Sequence, residues 1–324
     1  MLQFGQCRIS RNKTPSGSGV GDSTANADAE TSVEQIANEK GGSGFTWFLA
    51  SRRTLADKRM EQSSNDTSKS HYSFGDNQLA ALRLEYLSAA FAPSSRRFLQ
   101  RTKPGKVELA LDLGSGIGAT TALLRDVTNA RGVVGYERSA KFLAIARLQY
   151  PKLTFREIDV LSPVYPDREA DLIYCRFLLT HIHRPADVLI TSVQHLRPGG
   201  RLLLEETAAL FSPVPALSRY YDLVEQLQAH HGQETLIGKR LGDVAAGVAG
   251  ARATSALQEI PIPAAVMARL HAMNLATWKA DPFMLDTHGL GALEDLESEL
   301  KAIAVRSDFP EGRCVMAQVC IERM

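Results

Sequence analysis

The chain has 324 residues, enough for one large or two ordinary domains with a well-buried core. Its 37 Lys and Arg nearly balance 36 Asp and Glu, so a net charge of +1 gives no electrostatic footprint for nucleic acid or an anionic membrane. Hydrophobic residues at 44% and charged residues at 23% are ordinary for a globular protein, and no window approaches the ~18 consecutive apolar residues of a membrane span.

The four cysteines, Cys7, Cys175, Cys314 and Cys320, form no CxxC pair and stand near no histidine at metal-ligand spacing. They read as reduced thiols of a cytoplasmic protein without a metal site. The opening "MLQFGQCRISRNKTPSGSGVG" lacks the apolar stretch of a signal peptide, and the acids of "DSTANADAE" argue against a transit peptide. Residues 1–68 are rich in Ser, Gly, Asn and charge and read as a disordered leader. Met60 offers an alternative start just before the ordered part.

From "SHYSFGDNQLAALRLEYLSAAF" the pattern turns helical, with Leu79, Leu82, Tyr86, Leu87 and Ala90 near helical spacing. Pro93 is expected to break this helix, with Ser94 or Ser95 capping a second. Strands and helices then alternate. The strands are "VELALDLG", "RGVVGYE", "KLTFREID", "ADLIYCRF" and "GGRLLLEET". The helices between them are "ATTALLRDVTNA", "SAKFLAIARLQY" and "RPADVLITSVQHL", the last ending at Arg197 before the turn "RPGG". Such alternation predicts an α/β fold with a doubly wound, mostly parallel sheet covered on both faces. Beyond Ala208 come helical segments, a strand within "GVAGARATSALQEIPIP", and a final strand "RCVMAQVCIER".

The stretch "LDLGSGIGAT" joins a strand to a helix through alternating glycines, which let backbone N–H groups approach a ligand closely. It lacks the lysine of a phosphate-binding P-loop. Gly114, Gly116 and Ala119 satisfy the GxGxxA string of a dinucleotide loop, so the glycines alone leave NAD and S-adenosylmethionine both open. Asp112 separates them: a carboxylate beside the loop repels a pyrophosphate and suits an ammonium. Glu137 ends the second strand, where a carboxylate can accept both ribose hydroxyls of either ligand. Asp159 and Val160 follow the third strand and are candidates for the adenine ring. A plain turn is the competing reading of Asp159.

Together "LDLGSGIG", the acid of "GYERS", "IDV", "ADLIYCRFLLTHI" and "LRPGGRLLLEE" resemble the class I S-adenosylmethionine-dependent methyltransferases of small-molecule type. The resemblance covers about Tyr72 to Glu206. It implies a seven-stranded Rossmann-like sheet with S-adenosyl-L-methionine over the carboxyl ends of the first two strands, and a closing antiparallel strand. It divides the chain into the leader, a helical cap at 69–104, a cofactor-binding core at 105–207, and a helical lid with closing strands at 208–324. The cofactor residues it implies are Asp112, Gly114, Ser115, Gly116, Gly118, Glu137, Arg138, Asp159, Val160, Arg176 and Phe177. Tyr72 and Arg83 of the cap would close over the methionine carboxylate. A solvated helix face is the competing reading of Arg83.

Methyl transfer needs near-attack geometry above all, and a base only for a protonated acceptor. His181 is the candidate base, against a packing role at the helix entry. His183 and Glu206 are candidates to face the substrate. His230 and His231 read as solvated. The "NPPY" of nucleic-acid and glutamine amino-methylating enzymes is absent after the fourth strand, where "CRFLL" stands. A small organic acceptor therefore leads, with no nucleic-acid or membrane partner. The alternatives are an NAD-dependent oxidoreductase and a catalytically silent methyltransferase-like binding module.

Overall fold

The computed structural model describes residues 77–324. Helix α1 (Gln78–Thr102) opens on Asn77, whose side chain accepts the N–H of Ala80 at 2.9 Å. Contrary to the sequence expectation, α1 runs unbroken through Pro93. Proline removes one N–H from the ladder, but packing on both sides of it holds the helix together. Phe91 packs into the helical lid, and Phe98 and Leu99 pack onto the sheet. Ser94 and Ser95 are consequently buried mid-helix and cap nothing.

The next elements alternate. They are β1 (Leu109–Leu113), α2 (Ala119–Thr128), β2 (Gly132–Glu137), α3 (Ala140–Gln149), β3 (Thr154–Glu157), β4 (Ala170–Arg176), α4 (Pro185–His195) and β5 (Leu196–Phe211). Then come α5 (Pro215–His230), α6 (Leu241–Ala246), β6 (Ala251–Ile262), α7 (Ala264–Trp278), α8 (Pro282–His288), α9 (Leu290–Ala304) and β7 (Gly312–Arg323). Single-turn 3₁₀ helices lie at Leu179–His181 and Ile237–Lys239.

The seven strands form one sheet in the order β3-β2-β1-β4-β5-β7-β6. The first five are parallel, β7 runs antiparallel to β5, and β6 antiparallel to β7. Every residue of β4 is buried, as a central strand covered on both faces requires. One face packs Leu111, Ile173, Leu202 and Ile321 beneath α4 and α6. The other packs Ala110, Leu172, Tyr174 and Leu203 beneath α1 and α2. Helices α5, α7 and α9 build a separate apolar cluster with Leu217, Leu275 and Leu296, joined by Phe91 of α1.

Two boundaries differ from the sequence reading. Helix α4 ends at His195, and "LRPGG" already belongs to β5, which pairs irregularly with β4 there. A side chain at Gly200 would meet the Ala170 carbonyl oxygen at 2.8 Å, so this crossing demands glycine. Strand β5 also continues past Glu206 to Phe211, because β7 pairs with it along nearly its whole length. The described cysteines, Cys175, Cys314 and Cys320, are free thiols. Among the described residues no helix is long and apolar enough to cross a membrane.

Pro93 is exposed on α1, so Pro93→Ala should restore a helix hydrogen bond to the Ala89 carbonyl without disturbing the core. We expect it to stabilise the protein by about 1–2 kcal/mol, read as a higher urea midpoint with unchanged slope.

Candidate active site

The site is built at the carboxyl ends of the parallel strands. The turn between β1 and α2 carries Gly114, Gly116 and Gly118, all at positive φ. Gly118 sits at φ +90°, and a Cβ there would lie 2.8 Å from the Phe155 ring and 2.9 Å from Tyr150. A side chain at Gly114 would press on Leu178 at 3.0 Å. The turn is pinned to the next strand by the Ser115 N–H, which donates to the Tyr136 carbonyl at 2.9 Å. The Ser115 hydroxyl is buried and makes no hydrogen bond within the described residues.

Asp112 lies under this loop, 1% exposed. Thr120 and Thr121, in the first turn of α2, both donate to its Oδ2, at 2.7 and 2.6 Å. Burial raises its carboxyl from 3.8 to about 6, against the pull of the two hydroxyls and the nearby Arg176. A group so poised gains from any cation placed beside it. Glu137 is locked at the end of β2. Its Oε2 accepts the Gly116 N–H at 2.9 Å, and its Oε1 accepts those of Arg138 and Ser139 at 2.8 Å each. Desolvation still holds its carboxyl above the usual range. The structure thus brings Asp112, Ser115, Gly114, Gly116, Gly118 and Glu137 into one small region.

Arg176 ends β4 and is buried. It points at the cap, donating to Ser95 at 2.9 Å and Ser88 at 3.3 Å, and its charge acts on Asp112. Phe177 follows in a left-handed conformation, φ +55°, unusual for a bulky residue. Its N–H donates to the Glu205 carbonyl at 3.0 Å, and its ring meets Phe91 edge-on at 5.0 Å.

Glu205 and Glu206 face opposite sides of β5 and are both buried. Glu205 accepts from Tyr174 at 2.5 Å and Gln318 at 2.8 Å on the cap side. Glu206 accepts the N–H groups of Leu178 and Leu179 at 2.8 and 2.7 Å, while its Oε2 makes no hydrogen bond within the described residues. His181 sits in the short helix that Glu206 caps, with Gln233 as a partner. Burial and the Arg83 charge lower His181 to about 3.

Other expected residues are placed differently. Arg83 is buried rather than solvated. Asp159 is exposed, and its side chain accepts the Leu161 N–H at 2.9 Å in its own turn, while Val160 packs into the core beside it. The Arg138 side chain is exposed. His183 lies at the surface, bonded to the Gly232 carbonyl at 2.9 Å, apart from His181 in role. His230 stacks on Phe283 and His231 pairs with Asp281, so neither is merely solvated. Tyr72, Cys7 and Met60 lie outside the described residues, as do the whole expected leader and the first eight residues of the expected cap, 69–76. Thr120, Thr121, Ser88 and Gln318 were not singled out from the sequence, and Ser95 only as a helix cap. The "ATT" following the glycines was the one available signal, since it sets two hydroxyls on the first turn of the helix above Asp112. A separate open groove of about 760 Å³, lined by Phe211, Tyr221, Glu225 and Arg313, includes none of the sequence-derived site residues. Among the described residues no three His, Cys, Asp or Glu side chains group as a metal site would need.

Comparison with known proteins bears on this geometry. The family described as methyltransferase domain matches residues 111–204, from the middle of β1 into β5. The trans-aconitate 2-methyltransferase of Azoarcus sp. strain BH72 is 30% identical over 190 residues, covering 57% of this chain and 65% of that protein. The O-methyltransferase cnsE of Penicillium expansum is 29% identical over 133 residues, 39% of this chain and 48% of that protein. The chain thus spans less than two thirds of the length of these relatives. A solved phosphoethanolamine N-methyltransferase 2 of Haemonchus contortus superposes with a TM-score of 0.47 at 16% identity, over 80% of this chain and 61% of that one.

Two residues beyond the matched stretch, Glu206 carries a pH signature. Burial raises its carboxyl from 4.5 to about 8. The folded state therefore keeps a proton that the unfolded chain releases, and stability falls as pH rises from about 4.5 to 8. Glu206→Gln keeps an acceptor for the Leu178 and Leu179 amides. It should match wild type within about 1 kcal/mol at pH 5 and remove most of the loss in thermal midpoint between pH 5 and pH 8.

Proposed function

We propose that the chain is an S-adenosylmethionine-dependent methyltransferase acting on a small organic acceptor. One observation carries this reading: the left-handed glycine loop lies over the buried Asp112 and is bonded across to Glu137, inside the matched domain. The residues fit the cofactor's chemistry. The glycines clear the loop backbone for close approach, and the buried Ser115 hydroxyl has a hydrogen bond to give. S-adenosylmethionine, when bound, supplies an electrophilic methyl group on a sulfonium. Asp112 would hold the ammonium end by charge, and Glu137, oriented by three backbone N–H groups, would accept ribose hydroxyls.

The Azoarcus relative acts, by name, on trans-aconitate, and an Arabidopsis thaliana relative on phosphoethanolamine, which supports a small acceptor here. The proton-holding group at neutral pH is Glu206, at about 8, rather than His181, which at about 3 stays neutral. His181 therefore serves better as a hydrogen-bonding wall than as a base.

Calorimetric titration with S-adenosylhomocysteine tests the reading, with NADH as the control. Since a cation favours ionised Asp112, affinity should weaken about tenfold from pH 7 to pH 5 as the carboxyl takes up a proton near 6. Asp112→Asn should weaken binding about ten- to hundredfold at pH 7 and flatten that dependence. Binding of NADH without S-adenosylhomocysteine would overturn the proposal.

A further inference from the structure

The open groove of about 760 Å³ contains none of the residues assigned to the glycine loop or to the strand-end carboxylates. It is enclosed by the ends of β5 and β6, one stripe of α5, the chain at Thr235 and Leu236, and the entry to β7. Phe211, in its wall, stands on β5 five residues beyond Glu206. At about 3.3 Å per residue that is roughly 16 Å along the strand, so a small ligand in the groove does not reach the glycine loop side of the sheet.

The walls are apolar and aromatic. Phe211, Pro213, Tyr221, Leu236 and Pro261 line them. Phe211 is 47% exposed, a large ring left open to water at the end of a strand whose middle is buried. Its ring is already a cation partner, since the Arg313 guanidinium carbon lies over it at 4.5 Å from the centroid.

Charge is added to this surface with one sign. On α5, Ser218, Tyr221, Asp222 and Glu225 follow the spacing of a single helix stripe and turn it toward the groove. Asp222 and Glu225 are like charges three residues apart, which repel on a helix. Glu311, just before β7, adds a third carboxylate to the lining. None of the three makes an ion pair or side-chain hydrogen bond among the described residues. Arg313, the one cation of the lining, pairs at 3.6 Å with Glu259, which stands outside it. The arginines beside the lining in sequence, Arg219 and Arg240, pair with Glu299 and Glu234. The groove therefore keeps surplus negative charge over aromatic surface. In its wall the Thr235 hydroxyl makes no hydrogen bond within the described residues, and its oxygen can accept one.

We propose that this groove binds a small organic cation, an ammonium or guanidinium group carried on an aromatic or alkyl body. The volume is that of a small-molecule site. The body packs on Phe211 and Tyr221, whose ring faces attract the cation, while Asp222, Glu225 and Glu311 supply the opposite charge. The cation's N–H groups donate to those carboxylates and to the Thr235 hydroxyl. The inference stands apart from the methyltransferase reading, because the groove shares no residue with that site.

Calorimetric titration of the full-length protein tests it. The probes are benzylamine and n-butylguanidine, with benzyl alcohol and n-butylurea as neutral counterparts and benzoate as the anion. We expect saturable binding of at least one cation, about tenfold tighter than its neutral counterpart and weaker as salt rises, and no binding of benzoate. The double variant Asp222→Asn with Glu225→Gln should weaken cation binding about tenfold. Both side chains are exposed, so its melting temperature should match wild type. Glu311→Gln, on a different element, should also weaken the cation and serves as the deciding variant if the α5 pair melts lower. Phe211→Ser should weaken benzylamine and benzyl alcohol alike. Saturable binding of neither cation, equal binding of a neutral counterpart, or undiminished binding in both acid variants would overturn the proposal. Saturating S-adenosylhomocysteine should leave cation binding intact. Competitive displacement would put the cation at the glycine loop and likewise sink the proposal. If S-adenosylhomocysteine itself does not bind, the methyltransferase reading falls and the acid variants decide this inference alone.

Discussion

The Glu206 carboxylate, accepting the amides of Leu178 and Leu179, is the interaction on which the site's geometry turns. It anchors the end of β5 to the chain leaving β4. That chain must turn sharply, and Phe177 adopts a left-handed conformation to do so. Leu178 then lies against Gly114, closing one side of the glycine loop. His181 follows within the same short helix, where Thr180 also binds the Glu234 carbonyl beyond α5. One buried carboxyl thus couples the central sheet, the glycine loop and the segment after α5. Its second oxygen makes no hydrogen bond within the described residues.

The same edge of the sheet concentrates charge that packing alone would not tolerate. Asp112 lies on β1 and Glu205 and Glu206 on β5, the two strands flanking β4, and each is almost wholly buried. Their arrangements differ in kind. Glu205 is satisfied by side chains across the sheet, Glu206 by backbone amides, and Asp112 by two threonine hydroxyls on one oxygen. Arg176 supplies a buried cation among them and fastens the sheet to the cap helix through Ser88 and Ser95. The cap is therefore held at its middle by hydrogen bonds, which accounts for a proline lying inside an unbroken helix.

Much of the core was legible from the sequence because its signals are local. The β1 run ending in Asp112, the three glycines and the helix start lie within a dozen residues, and their order dictates a turn with a carboxylate beneath it. Glu137 ends β2, as its place in "GYERS" indicated. Pro93 misled because a local rule, the missing N–H, was outweighed by packing of Phe91 and Phe98 on either side. "RPGG" misled by two residues because a helix stop and a bulged strand entry use the same turn chemistry. Asp159 kept its turn-residue character, with its carboxylate committed to its own backbone.

The sequence by itself determined the alternation of strands and helices, hence the parallel sheet, and the chemistry gathered in the glycine loop. Periodicity and short-range spacing are properties of neighbouring residues, and they survive without coordinates. Only the tertiary structure decided which distant side chains share a space. Arg83 with His271, Arg176 with Ser95, and Glu206 with Leu179 stand 188, 81 and 27 residues apart in the sequence. Their proximity follows from how α1, the strand ends and the lid helices pack, and burial then sets the charge state each group prefers. No spacing rule encodes that, because desolvation depends on everything that covers a group and not on the residues beside it in the chain.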